Sequence, residues 1–503
     1  YDIMPSLVGS EMCIRDRLKP MYLGIDLGTS SVKAVVVDDE GLVQDEASAP
    51  LHVQRPGVGM SEQHPNDWWV AVEDAVSQLE GWSRGVRAIG LSGQMHGATL
   101  TNKDGQPLRN AILWNDVRAD KECAELEKRV DVKGITGNVA MAGFTAPKLA
   151  WVRSHEREIF AATTKVLLPK DFVRFCMTGF FATEMSDASG TLWLDVNKRR
   201  WSEEMLEATD MTSSHMPELF EGSDVTAVLS AEVAERWNMN RVPVVGGAGD
   251  QAAGAVGAGA VDEGKALVSI GTSGVIFVPD REHLPNPARG VHAFCHALPD
   301  RWHRMAVTLS AAGALTWVAR ITKAESEAAL IDEIEASDAR AGRVYFLPYL
   351  SGERTPHNDA SATGTFVGLS HATDRAELGY AVLEGVAFAL RDCQQALTEA
   401  GASPESMDVL GGGAQSVYWG KLIADALATP LTYRRDAQFG PALGAARLAI
   451  LGNTGRAVSS VCSPPPFDYT IQPDPAKVDL MTERYETFRA LYRDLKERFA
   501  SLR

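Results

Sequence analysis

Cysteine is scarce in this chain: six among 503 residues, scattered as Cys13, Cys123, Cys176, Cys295, Cys393 and Cys462. With no CxxC pair, the pattern argues against a disulfide-stapled scaffold and against a thiolate zinc site. The thiols read as reduced, which points to a cytoplasmic protein. Basic residues are also in short supply, 49 Lys and Arg against 66 Asp and Glu, for a formal net charge of −17. A surface of that sign suits neither a nucleic-acid backbone nor an anionic membrane, so neither is expected as a partner. A small anionic ligand stays open, because it needs only local amides and a cation. No apolar run approaches the length of a bilayer span.

Familiar catalytic signatures are missing as well. There is no HExxH, no GxSxG and no GxGxxG. The stretch GAVDEGKA at 259–266 comes near a P-loop, but Ala266 stands where a Mg²⁺-holding hydroxyl belongs. An apolar strand also follows Lys265, where a P-loop would open a helix. The first twenty residues mix charges without an apolar core, so they do not read as a signal peptide. They are expected to be a non-native or flexible leader, and the fold is read from Met21.

What the chain contains is ordinary for a globular enzyme, 45% hydrophobic and 23% charged residues, in a length that exceeds one compact core. Residues 22–37, YLGIDLGTSSVKAVVV, read as a strand, a tight Gly turn and a second strand. KALVSIGTSGVIFV at 265–278 repeats the pattern half a chain later, LGTSSV against IGTSGV. The repeat predicts two similar α/β domains facing one another across a cleft, 21–260 and 261–503. Glycine turns expose successive N–H groups which, with Thr and Ser hydroxyls, bind phosphate oxygens. Thr29 and Ser30 in the first turn and Gly271 and Thr272 in the second are the candidates, with Asp26 placed to reach a hydrated Mg²⁺. LGGGA at 410–414, between a strand and a helix, lets a flat ring or ribose approach bare backbone; a close-packed turn reads equally well. In VVGGAGDQAAGAVGAGA (244–260), Asp250 sits among residues too small to solvate or neutralise it. Something outside the chain must come close to that backbone.

The motifs GIDLGTSSVK, GLSGQMHGATL, AILWNDVRA, FTAPKLAWV, LLPKDFVRF, SDASGTLWLDV, GDQAAGAVGAG, SIGTSGV, FLPYLSGERTPHND, LEGVAFAL and GGGAQSVYW occur in that order. In this series the chain resembles the FGGY family of carbohydrate kinases from Met21 almost to the C-terminus. The resemblance implies a duplicated actin-like, ribonuclease-H-type domain pair, with sugar on the first domain and Mg-ATP mainly on the second. It implies ATP-dependent phosphorylation of a ketopentose, D-xylulose, at its 5-hydroxyl. It assigns Asp250 as the base on that hydroxyl, and Asp26 with Asp250 to Mg²⁺. Gly271 and Thr272 would meet the ATP phosphates, and Gly412, Gly413 and Ala414 the nucleoside, with Ser416 nearby. Met95 and His96 of GQMHG, with Asp250 and Gln251, would bind the sugar. Trp114, Asn115, Asp116 and Arg118 would line or brace that pocket, and Glu353 and Arg354 would hold the domain interface. A homodimer is implied by the resemblance alone.

Gln251 departs from the pattern, since Asp-Asn is the common xylulose form and Asp-Gln resembles the glycerol enzymes. That leaves the sugar open among xylulose, ribulose, glycerol, gluconate and fuculose. An actin- or Hsp70-like ATPase shares the paired hairpins, but it has no use for an acid poised over a small hydroxyl.

Overall fold

A computed structural model of the chain describes residues 19–79, 81–337, 342–435 and 439–502. Of the expected leader, 1–18 lie outside the described residues.

The first hairpin forms where the sequence places it. Strands β1 (Met21–Leu27) and β2 (Ser31–Asp38) pair antiparallel, with Leu27 opposite Val32 and Asp26 opposite Lys33. Their apolar residues are buried almost throughout, as in strands covered on both faces. Strand β3 (Val43–Pro50) lies outside β2 and alternates between half-buried and exposed positions, the mark of a sheet edge. On the other side of β1 runs β4 (Val86–Gly93), in parallel. Beyond it stands β5 (Val225–Val228), paired antiparallel to β6 (Pro243–Val245), which adjoins β4. A two-residue strand, β7 (Ala248–Gly249), pairs with the end of β4.

The second sheet repeats the plan. A hairpin of β8 (Leu267–Ile270) and β9 (Gly274–Asp280) is followed by β10 (His292–Cys295) and β11 (Trp302–Thr308), antiparallel neighbours that extend the sheet beyond β9. On the far side of β8 come β12 (Met407–Leu410) and β13 (Leu431–Arg434), both parallel, and then β14 (Phe467–Ile471) antiparallel. In each sheet an antiparallel hairpin has an antiparallel strand on one flank and parallel strands on the other. This is the duplicated actin-like α/β plan, and it is the structural counterpart of the LGTSSV and IGTSGV repeat.

Helices follow local signals. Helix α1 (Pro65–Ser77) starts after His64, whose Nδ1 accepts the Asn66 N–H at 3.2 Å. Pro65, pre-set for the first helical turn, fixes that start. Helix α2 (Pro169–Thr178) lies against β4, and α3 (Met185–Ser189) against β7. Helix α4 (Asp250–Ala258) ends at Gly259, φ 75°. It is followed by strand β8, so GAVDEGKA links helix to strand, the reverse of a P-loop. Helix α5 (Arg375–Glu399) opens with a capping box of Asp374 and Glu377.

Helices α6 (Val417–Leu427) and α7 (Gly440–Thr454) come from the second half, yet α7 lies against the first sheet and α4. The approach is backbone to backbone: a side chain on Gly24 or Gly90 would meet the carbonyls of Ala442 and Ala445 at 2.0 and 1.9 Å. PALGAA at 441–446 thus packs on the first sheet through its small residues, while Pro441 at its head reaches the cleft. Among the described residues, no helix is long and apolar enough to cross a membrane, and all five cysteines are unpaired.

Candidate active site

Asp250 owes its position to a strand running directly into a helix. Strand β7 ends at Gly249 and α4 begins at Asp250, so the carboxylate stands in the first turn of the helix. Burial, and then the like charge of Asp26, push its pKa up from 3.8 to about 7; the Gln251 N–H and amide pull the other way. Asp26, on β1 beside Ser92 of β4, is itself pushed up to about 6 by burial, against the Ser92 hydroxyl and Lys33. Its Oδ1 is buried without a hydrogen-bond partner. Two carboxylates, Asp250 raised in proton affinity by Asp26, and Asp26 with an orphaned oxygen, form a hard donor pair suited to Mg²⁺. No cluster of three or more His, Cys, Asp or Glu side chains that could hold a metal occurs among the described residues. A Mg²⁺ arriving with nucleotide phosphates needs only one or two carboxylates.

The GQMHG loop supplies a neutral acceptor. His96 holds a left-handed backbone, φ 67°, uncommon for a residue with a side chain and typical of functional sites. Its Nδ1 lies 2.8 Å from the Gly190 carbonyl. A carbonyl only accepts, so Nδ1 carries the proton and Nε2 keeps a lone pair. Burial, reinforced by the charges of Lys148 and Arg354, holds its pKa at about 3. The ring stands edge-on to Phe144 at 4.7 Å. The His96 carbonyl accepts from Lys148 Nζ at 2.8 Å and from Thr145 Oγ1 at 3.2 Å. Met95 is buried beneath the turn that leads to Asp250; a side chain on Gly249 would touch its Cγ at 2.9 Å. Gln251, half-buried in the first turn of α4, lines the cleft beside Asp250.

The first hairpin tip is braced from within. Thr29 Oγ1 accepts from Trp114 Nε1 at 3.0 Å and donates to Gln94 Oε1 at 3.1 Å. Gln94 in turn donates to Gln63, and Gln63 to the Thr29 carbonyl, each at 2.8 Å. The Thr29 hydroxyl is therefore largely committed to the protein, while Ser30 is exposed. In the second hairpin the Gly271 and Thr272 carbonyls take the Ala312, Ala311 and Gly313 N–H groups. That pins the tip and leaves Thr272 exposed.

Two cavities meet at the glycine turn. One of about 500 Å³ is lined from both halves by Asp250, Gln251, Ser269, Gly412 and Pro441. The other, of about 580 Å³, is lined by Gly412, Gly413, Ser416, Glu327 and Leu315. Gly411 turns the chain at φ 91° into the short helical turn Gly412–Gln415, which includes Ala414. Ser416 Oγ accepts the Trp419 N–H at 3.2 Å, so it caps α6 while facing the second cavity.

Of the neighbours expected to line or brace a sugar pocket, Asp116 and Arg118 are tied to one another, and Asp116 to the backbone of Ser61. Asp116 accepts from the Ser61 N–H at 2.6 Å and from Arg118 Nε and Nη2 at 2.9 and 2.7 Å. Glu353 binds Thr308, Leu309 and the Arg354 N–H, which ties it within the second half and not across the interface. Arg354 does face the junction, 3.3 Å from His292, and its charge reaches His96. Lys148, Ser186 and Gly190 escape a reading of the sequence. They lie inside FTAPKLAWV and SDASGTLWLDV, where only Lys148, a charge within a mostly apolar stretch, gave a signal.

Residues 21–257 match the N-terminal domain of the FGGY family of carbohydrate kinases, and residues 266–452 match its C-terminal domain. The chain is 49% identical over 479 residues to the xylulose kinase of Escherichia coli (strain K12), covering 94% of this chain and 99% of that protein. It is 39% identical to the xylulose kinase of Bacillus subtilis (strain 168), over 86% and 88% of the two chains. Among solved structures, a xylulose kinase from Brucella ovis superimposes with a TM-score of 0.91 at 48% identity, over 95% and 99% of the chains. One from Rhodospirillum rubrum gives 0.87 at 28%, over 95% and 100%. With both family domains matched in order on a duplicated fold, the chain belongs to the FGGY family of carbohydrate kinases.

Proposed function

We propose that this kinase transfers the γ-phosphoryl group of ATP to the 5-hydroxyl of D-xylulose, giving D-xylulose 5-phosphate. The observation that carries the chemistry is Asp250, a half-buried carboxylate at the head of α4 whose pKa of about 7 matches a general base at neutral pH. Phosphoryl transfer asks little else of the protein than alignment and charge neutralisation. In this reading Asp250 takes the proton of the sugar hydroxyl. His96 Nε2 accepts from another hydroxyl, its tautomer set by the Gly190 carbonyl. Met95 gives the apolar floor, and Gln251 contributes the amide that adjusts sugar choice. The exposed tip at Gly271 and Thr272 receives phosphate oxygens, joined by Ser30 and the Thr29 backbone from the facing hairpin. Gly412, Gly413 and Ala414 give the nucleoside bare backbone, with Ser416 holding the helix behind them. When Mg²⁺ is bound, Asp26 and Asp250 would hold it, and it would neutralise phosphate charge.

The names of the relatives support xylulose as the sugar. The test is ADP release with a panel of D-xylulose, ribulose, glycerol, gluconate and fuculose. D-xylulose is expected to give the highest kcat/KM; preference for any other member overturns the assignment of the sugar. ATP turnover indifferent to every sugar overturns the assignment of the reaction.

A further inference from the structure

His96 and Asp250 sit on different elements, yet both are anchored to one buried segment, Glu184–Gly190. Ser186 is fully buried, and its Oγ accepts the N–H of Gly249, the residue before Asp250, at 3.1 Å. Four residues later the Gly190 carbonyl accepts a hydrogen bond from His96 Nδ1–H. A side chain at Gly190 would stand 2.4 Å from both Cε1 and Nδ1 of His96, so the imidazole keeps its place only against glycine. Between them Ser189 Oγ, also fully buried, accepts the Cys295 N–H of strand β10 at 3.0 Å, a contact with the second half.

The segment is held stiffly. Glu184 caps α3 by accepting the Ser186 and Asp187 N–H groups at 2.7 and 2.9 Å. Lys170 Nζ lies 2.7 Å from Asp171, 3.1 Å from Asp187 and 3.4 Å from Glu184, all fully buried. Arg174, in the same cluster, donates to the Val245 and Gly246 carbonyls on the approach to Asp250. Burying so many charges adds little net stability compared with apolar packing. It does fix backbone position, and a misplacement of about 1 Å at a reacting group costs on the order of a hundredfold in rate.

We propose that Ser186 and Gly190 are positioning residues of the phosphoryl transfer: Ser186 aims the base through Gly249, and Gly190 aims the sugar-binding imidazole. The proposal rests on Asp250 and His96 having the roles given above. Their common attachment keeps base and sugar in one frame, and Ser189 ties that frame to the nucleotide half.

The test is steady-state kinetics of the full chain carrying Ser186→Ala, Ser186→Thr or Gly190→Ala, with Asp250→Ala as reference. Ser186→Ala is expected to lower kcat by roughly tenfold to a hundredfold with sugar KM within about twofold, and Ser186→Thr, which keeps the acceptor, to restore most of it. Gly190→Ala is expected to raise sugar KM about tenfold or more, with the smaller effect on kcat. A wild-type kcat in Ser186→Ala, or parallel changes of kcat and KM in both variants, overturns the proposal. Should Gly190→Ala not fold, ¹⁵N-histidine NMR of the unaltered enzyme decides its half: His96 must be Nδ1-protonated, and an Nε2-protonated ring overturns the link to Gly190. If Asp250→Ala turns over normally, the role of Asp250 falls and the Ser186 half of the proposal with it, whereas an inactive Asp250→Ala beside a wild-type kcat in Ser186→Ala overturns the positioning alone.

Discussion

Asp26 on strand β1 and Asp250 at the head of α4 act on one another as like charges, and that raises the proton affinity of Asp250 beyond what burial does alone. The candidate active site thus holds a carboxylate poised near neutrality first by burial and then by a neighbour on strand β1. Its acid–base behaviour belongs to the pair.

A base must be deprotonated to accept a proton. Sugar kcat/KM is therefore expected to fall below pH about 7, following Asp250. Asp26→Asn removes the like charge and lowers the Asp250 pKa, so the acid limb is expected to move to lower pH even as overall activity drops. A pH–rate profile of both proteins checks this; a limb that stays in place argues against the coupling.

Asp250→Ala is expected to lower kcat by about a thousandfold or more, in the range that loss of a general base costs, with sugar binding largely kept. Isothermal titration with sugar alone separates the two effects. Stability should move the other way. The folded pKa of about 7 lies above the ordinary carboxyl value of 3.8, so this group's contribution to stability is complete below about pH 4 and is lost as the pH rises through 7. Above that, the buried charge is a liability. Asp250→Asn is expected to melt higher at pH 8, on the order of a few degrees, and to show little gain at pH 4.

His96→Ala is expected to raise sugar KM by about tenfold to a hundredfold, the cost of one lost hydrogen bond in a closed site, with ATP KM nearly unchanged. Because the ring stays neutral down to about pH 3, sugar affinity of the unaltered enzyme should not follow histidine titration between pH 5 and 8. Sugar binding to Asp250→Asn, which lacks the carboxyl that titrates near 7, should stay level through pH 6.5, and a tenfold change there would contradict the neutral acceptor.

Gly412 and Gly413 are adjacent but should respond differently. A Cβ at Gly412 meets nothing within 4 Å, whereas at Gly413 it would lie 2.5 Å from Ile270 Cγ2. Gly412→Val is therefore expected to fold, to raise ATP KM by about tenfold and to spare sugar binding. Gly413→Val is expected to lose thermal stability. Equal ATP affinity in Gly412→Val and the wild type would remove this turn from the nucleotide path.

Much of the architecture was legible because it is written locally. The two hairpins show as β-branched runs around Gly-Thr-Ser, and their similarity foretold two sheets of one plan. Asp250 stood out by contrast with the small residues around it. The placement of α7 was not legible: small residues mark 441–446 as packing closely, but not against which sheet. Thr29 was read as a phosphate ligand from its turn; the residues that occupy its hydroxyl, Trp114 and Gln94, lie 85 and 65 positions away.

The sequence by itself determined the pair of phosphate-type hairpins, the isolated acid at the start of α4 and the histidine between glycines, since each depends on residues within a few positions. Only the tertiary structure decided how these groups behave. Asp250 titrates near 7 because the fold buries it and brings Asp26 to it from more than two hundred residues away. His96 is neutral because the fold buries it near Lys148 and Arg354, and it presents Nε2 as the acceptor because the Gly190 carbonyl, 94 residues on, accepts its Nδ1–H. Burial and charge proximity are properties of neighbours in space, and a linear pattern carries no record of them until the chain has folded.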